Sequence, residues 1–180
     1  MSKKFIKIEE EVFSWVETLV FAIIVLVIVN SFFFRTTVVD GISMEPTLYD
    51  GELLIVSKLF YNEPQKGDVV TFYSAKRYDE VLVKRVIAKE GDTVDIDYDT
   101  GIVYVNGEAL DEPYIAERIR FKGDVQMPCT VPEGCIFAMG DNRNHSTDSR
   151  ESTVGMVPYE SIIGRVVFRF FPFDRIGTVK

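Results

Sequence analysis

The chain has a single histidine, His145, and two cysteines, Cys129 and Cys135. That scarcity argues against a metal centre, because two Cys and one His without a paired CxxC spacing make a poor set of soft ligands. Positive charge is also in short supply, with 20 Lys and Arg against 28 Asp and Glu and a net charge of −8. Nucleic acid is therefore excluded as the main partner, since phosphate binding needs clustered Lys and Arg. No internal repeat or low-complexity tract is present, and helical periodicity is missing after residue 34. What is present is apolar: hydrophobic residues reach 47% against 27% charged, the composition of a folded chain rather than a disordered one. A length of 180 residues leaves room for one domain and an anchor.

The anchor is Thr18 to Phe34, TLVFAIIVLVIVNSFFF, 17 residues without a charge. As a helix it measures about 25 Å, near the lower limit for a bilayer span. Trp15 and Val16 extend it if Glu17 reaches the headgroups. A cleaved signal peptide needs a small-x-small site, and Asn30-Ser31-Phe32-Phe33-Phe34-Arg35 offers none. A buried core helix would show a polar face, and this run has none. Lys3, Lys4 and Lys7 precede the segment, and Arg35 alone closely follows it. The positive-inside rule then predicts a cytoplasmic tail over 1–17, a single-pass anchor over 18–34 in the cell membrane, and an extracytoplasmic domain over 35–180.

The outer part reads as mainly β. The 14 Phe and 8 Tyr favour sheet with an aromatic core. Thr36–Val39, Glu52–Ser57, Val69–Tyr73, Val81–Lys89 and Ile162–Phe170 are β-branched runs between turn signals. Gly-Asp pairs at 67, 91, 123 and 140 mark turns. Asp97-Tyr98-Asp99-Thr100-Gly101 joins two short strands as a hairpin. The expected fold is an antiparallel-sheet domain, with a small, more polar β subdomain inserted over about 92–135. The aromatic tail Val166–Phe173 reads as a core strand, with an aromatic face resting on the bilayer as the second reading. Cys129 and Cys135 bracket a small loop, either as a disulfide or as free thiols.

Ser43 follows the anchor closely. The eight residues between Phe34 and Ser43 reach at most about 30 Å, so Ser43 acts at or near a membrane surface. A serine nucleophile needs a base. His145 is one option, in the polar run Gly140-Asp141-Asn142-Arg143-Asn144-His145, although an exposed loop histidine fits equally. Lys84 is the other, inside Val81-Leu82-Val83-Lys84-Arg85-Val86-Ile87-Ala88. Strand alternation puts it on one face with Leu82, Val86 and Ala88. A lysine base must be neutral, so burial must lower its pKa from about 10.4. Alternation also permits the opposite arrangement, with Lys84 outward and Arg85 inward.

Four segments, in order, resemble the motif boxes of the type I signal peptidases. They are Ser43-Met44-Glu45-Pro46-Thr47-Leu48, Gly67-Asp68-Val69-Val70-Thr71-Phe72, Lys84-Arg85-Val86-Ile87-Ala88, and Gly140-Asp141-Asn142-Arg143 through Ser146-Thr147-Asp148-Ser149-Arg150. The resemblance runs from the anchor to about Arg165. It implies Ser43 as nucleophile and Lys84 as general base, with the Ser146 hydroxyl orienting the lysine amine. It further implies ion pairs of Asp148 with Arg150 and of Asp141 with Arg85. Val39, Met44, Leu48, Leu82 and Val83 fall where the family lines shallow pockets for small substrate residues. Some members carry a serine two residues before the nucleophile to help stabilise the oxyanion, and this chain has Gly41 there. The implied activity is removal of signal peptides from preproteins after a small-x-small site, with no metal or organic cofactor. The rival readings are another Ser-Lys protease, like the self-cleaving repressors it resembles in part, a non-catalytic membrane-tethered β binding module, and a hydrolase built on His145.

Overall fold

The computed structural model describes residues 3–59, 61, 63–74 and 80–179, without the side chains of residues 3–10, 30 and 32. The lysine side chains that set the predicted orientation, Lys3, Lys4 and Lys7, lie outside that description. The chain divides into two compact units, Met1–Arg35 and Thr36–Lys180.

The first unit is one helix, α1 (Lys3–Phe33). Its stretch Glu11–Val29 has a mean hydropathy of 2.7 and is long and apolar enough to cross a membrane. Trp15, Leu19 and Phe21 are each at least 60% exposed, so the apolar surface of the helix faces outward. Two hydroxyls of the helix are satisfied locally. Thr18 Oγ1 donates to the Ser14 carbonyl at 2.9 Å and Ser31 Oγ to that of Val27 at 2.7 Å, the arrangement hydrocarbon demands. The helix ends at Phe33, and Phe34 opens the first strand.

The second unit is mainly antiparallel β-sheet. Its larger sheet has the order β1 (Phe34–Val38), β2 (Leu53–Ser57), β11 (Ile162–Phe171), β3 (Val69–Tyr73), β4 (Val81–Lys89), β9 (Cys135–Met139) and β10 (Val157–Pro158), with β12 (Gly177–Thr178) beside β11. The smaller sheet has the order β7 (Glu108–Ala109), β6 (Ile102–Val105), β5 (Thr93–Asp97) and β8 (Cys129–Thr130). It occupies the stretch expected to hold the inserted subdomain. It has no core of its own, because Val94, Ile96, Val103 and Val105 pack with Ile87, Ala88, Phe137 and Met139 of the larger sheet.

β4 carries the candidate base, and its register departs from simple alternation. Lys84 pairs with Val70 and Leu82 with Phe72 on β3, so Lys84 shares a face with Leu82 and Val86. On β9, Val86 faces Ala138 but Ala88 faces Phe137. The extra residue is a β-bulge, and it turns Ala88 to the other face, beside Ile87. The expected grouping of Ala88 with Lys84 thus fails at one inserted residue.

β11 is a core strand only in its first part. Val166 is buried, whereas Phe170, Phe171 and the following Phe173 are 52%, 43% and 71% exposed. The Phe173 ring meets both others edge to face, at 5.6 Å from Phe171 and 6.3 Å from Phe170.

Candidate active site

Ser43 sits in a tight turn that follows β1. The turn closes on itself through Glu45 N–H to the Ile42 carbonyl and Leu48 N–H to that of Met44, at 3.1 and 2.9 Å. Met44 and Leu48 are fully buried with Val39, Leu54, Val56, Val69 and Val166, which roots the turn in the core. Ser43 itself stays half-buried. Gly41 has φ +85° and open space around it. A serine there would have room but would need left-handed backbone, which L side chains rarely adopt.

Lys84 Nζ lies 2.6 Å from Ser43 Oγ. The lysine is 3% exposed, so the outward arrangement that alternation permitted is not the one adopted. Burial pushes its pKa down to about 8, against the opposing pull of the Asp148, Glu80 and Asp141 charges. An amine in that range is partly neutral near pH 8 and can take a proton from a hydroxyl in contact with it.

Asp148 is fully buried and saturated with donors. Arg150 Nε and NH2 reach its two oxygens at 2.8 and 2.9 Å, Gly140 N–H at 3.0 Å, and Ser146 Oγ at 2.7 Å. Burial alone would raise its pKa, but the Arg150 hydrogen bonds and charge hold it below the usual carboxylate range. Ser146 therefore spends its hydroxyl proton on Asp148. Among the described residues, the Lys84 amine bonds Ser43 and makes no hydrogen bond to Ser146.

Arg85, on the opposite face of β4, forks onto Asp141. Nε donates to Oδ1 at 2.8 Å and NH2 to Oδ2 at 2.7 Å, while NH1 reaches the Gly67 carbonyl at 2.8 Å. Both side chains of the pair are essentially buried.

Several residues that pattern reading passed over complete the site. Thr47 Oγ1 donates to Asp141 Oδ2 at 2.6 Å, tying the Ser43 turn to the Arg85 pair. Its carbonyl accepts from Arg169 NH1 at 3.0 Å. Asn142 grips the turn twice, its N–H on the Ser43 carbonyl at 3.0 Å and its Nδ2 on the Ile42 carbonyl at 3.1 Å. Gly140 is pressed so close that a Cβ there would overlap Ser146 Oγ and the Ser43 carbonyl oxygen. Thr47, Asn142 and Gly140 all lie inside the quoted motif boxes. Nothing in the one-dimensional order says which carbonyl or carboxylate each would reach.

The remaining sequence candidates lie as follows. Val39, Met44 and Leu48 are core side chains beneath the turn, and half-buried Val83 packs against them. Leu82 belongs to the cluster of Val70, Phe72 and Val86 on the other face. His145 is exposed, and among the described residues its ring has no hydrogen bond to Ser43. Cys129 and Cys135 are free. No group of His, Cys, Asp and Glu that could hold a metal occurs among the described residues.

Residues 12–171 match the family described as signal peptidase, peptidase S26. The chain is 36% identical over 178 residues to signal peptidase I of Bacillus licheniformis, covering 93% of each chain. It is 41% identical over 169 residues to signal peptidase I of Bacillus caldolyticus, covering 87% of this chain and 90% of that one. This chain belongs to the signal peptidase family, peptidase S26. The crystal structure of a signal peptidase I from Enterococcus faecalis V583 shares its fold, with a TM-score of 0.50 and 31% identity over 58% of this chain and 97% of that one. In this chain the Ser43 turn, the β4 pair Lys84–Arg85 and the loop 140–150 are in mutual contact.

Proposed function

We propose that this chain is a membrane-anchored serine endopeptidase that removes N-terminal signal peptides from secreted preproteins after a small-x-small site. Ser43 is the nucleophile and Lys84 the general base. The observation that carries this reading is the 2.6 Å contact between Ser43 Oγ and a lysine whose pKa burial lowers to about 8.

An extended substrate segment adds to a sheet edge through main-chain hydrogen bonds. Val39, Met44, Leu48, Leu82 and Val83 shape the shallow pockets for its small side chains, with Met44 and Leu48 acting as their buried floor. Neutral Lys84 takes the Ser43 proton as Oγ attacks the carbonyl carbon. The tetrahedral oxyanion forms at the Ser43 N–H, and Asn142 holds the peptide that carries that donor. The Lys84 ammonium returns the proton to the leaving amine, which breaks the C–N bond and leaves an acyl-Ser43. Water, deprotonated by Lys84, then releases the acyl group. The Asp141–Arg85 pair holds the loop against β4, the Asp148–Arg150 pair braces the loop itself, and Ser146 stiffens Asp148 beside the amine. The anchor lies within the cell membrane, with the N-terminus cytoplasmic and the catalytic unit outside.

The test is cleavage of a secretory precursor by the detergent-solubilised full chain. Ser43→Ala and Lys84→Ala are expected to lose cleavage and His145→Ala to keep it. Full activity in Lys84→Ala would sink the Ser-Lys reading. Precursor binding without cleavage by the wild-type chain would favour a non-catalytic tethered module.

A further inference from the structure

The chain from Leu110 to Val125, which leaves the small sheet, runs along the catalytic loop 140–150 and touches it repeatedly. At one end, Arg143 NH2 lies 2.6 Å from Glu112 Oε1, an ion pair off the hydrogen-bond axis. Next to it, two guanidinium groups approach the Tyr114 ring, that of Arg85 at 4.0 Å from its centroid and that of Arg143 at 5.8 Å. Further on, Asn144 Nδ2 donates to the Arg118 carbonyl at 3.0 Å and its Oδ1 accepts from Arg120 N–H at 2.8 Å. At the far end, Val125 N–H reaches the Arg150 carbonyl at 3.0 Å. Gly123 lies so close to Arg150 that a Cβ would overlap its carbonyl.

Both arginines beside Tyr114 lead directly to the nucleophile. Arg85 forks onto Asp141, whose Oδ2 accepts from Thr47 in the Ser43 turn. Arg143 Nε donates to the Gly140 carbonyl at 3.0 Å, and Gly140 abuts the Ser43 carbonyl. Arg85 and Arg143 are 2% and 1% exposed. At that depth an aromatic face and a carboxylate are the groups that make two cations tolerable.

We propose that Tyr114 and Glu112 are positioning residues, which hold Arg85 and Arg143 and through them fix Gly140–Asp141 against the Ser43 turn. The inserted subdomain is on this view part of the catalytic apparatus rather than an ornament of the sheet. Neither residue touches Ser43 or Lys84. Removing them therefore blurs the attack geometry and leaves substrate binding intact, the kind of small misplacement that costs rate.

The inference rests on the proposed Ser43–Lys84 activity, and the experiment separates the two. Wild type, Ser43→Ala, Tyr114→Leu, Tyr114→Phe and Glu112→Gln are compared on one secretory precursor in detergent, with kcat, KM and thermal midpoint measured for each. Tyr114→Leu removes the aromatic face, and its kcat is expected to fall about tenfold or more at unchanged KM. Tyr114→Phe keeps the face over Arg85 and is expected to stay within about twofold of wild type. Glu112→Gln keeps the shape and loses the ion pair, and its kcat is expected to fall several-fold at unchanged KM. Wild-type kcat in folded Tyr114→Leu, or a Tyr114→Phe as slow as Tyr114→Leu, overturns the inference. If Tyr114→Leu does not accumulate as folded protein, Glu112→Gln decides, and wild-type kcat there overturns it. Absence of cleavage by the wild type removes the activity reading and this inference with it, whereas cleavage that Ser43→Ala abolishes leaves the activity standing whatever Tyr114→Leu does.

Discussion

Lys84 is 3% exposed on β4, between Leu82 and Val86, and that placement governs its proton equilibrium. Its pKa of about 8 lies below the ordinary lysine value because burial disfavours the ammonium. If it is the base, log kcat/KM is expected to fall with unit slope as pH drops below about 8, measurable on any cleavable precursor. The same placement sets a stability trend of known sign. Between about pH 8 and 10.4 the unfolded chain binds the proton that the folded chain has released, so stability climbs with pH across that window. Below about 8 the lysine costs the fold its full amount. Lys84→Met is therefore expected to be inactive yet more stable at pH 7, by about 2–3 kcal/mol in urea unfolding. Gly140 presents the opposite case. Its missing side chain leaves space for Ser43 and Ser146, so Gly140→Ala is expected to lower cleavage at least about 100-fold and to cost about 1–3 kcal/mol of stability.

At the scale of elements, β4 does two jobs with adjacent residues, because a strand sends neighbours to opposite faces. Lys84 meets Ser43 on one side and Arg85 meets Asp141 on the other. β11 and the turn after it contribute a second clasp. Glu52, 2% exposed, pairs with Arg169 at 3.2 Å and Arg175 at 2.6 Å, and Arg169 also holds the Thr47 carbonyl. Glu52→Gln leaves two guanidinium groups facing no carboxylate and is expected to cost about 2–4 kcal/mol. Lys66→Ala, which breaks the more exposed pair with Asp92, is expected to change stability by less than about 1 kcal/mol. Urea midpoints of the two variants check the contrast. The strands themselves were legible, since Val69–Tyr73 and Val81–Lys89 announce themselves by β-branched residues between turns. The bulge in β4 was not legible, because it depends on which β9 residue each β4 residue meets. Glu52, Arg169 and Arg175 were illegible for a similar reason: Glu52 lies about 120 positions from the two arginines and meets them only when β2 pairs with β11.

On the scale of the whole molecule, the two units differ in how they dispose their apolar residues. α1 is exposed and apolar along Glu11–Val29, while residues 36–180 carry their own buried clusters. Removal of residues 1–33 is expected to leave a chain that still cleaves a short precursor peptide but no longer floats with lipid vesicles in a density gradient. If the predicted orientation holds, protease added outside intact cells digests the domain and spares the N-terminal tail.

The linear chain determined where the apolar segment lies, which residues form the longer strands β2, β3, β4 and β11 though not β9, and that Ser43 is tethered within about 30 Å of the segment's end. Those properties depend on neighbours a few positions away, or on chain length alone. Only the tertiary structure decided that Lys84 faces inward, that the Ser146 hydroxyl donates to Asp148, that Asn142 grips the Ser43 turn and Thr47 ties it to Asp141, and that Tyr114 meets Arg85. These outcomes depend on register and on contacts between segments remote in sequence, and local periodicity carries no record of them.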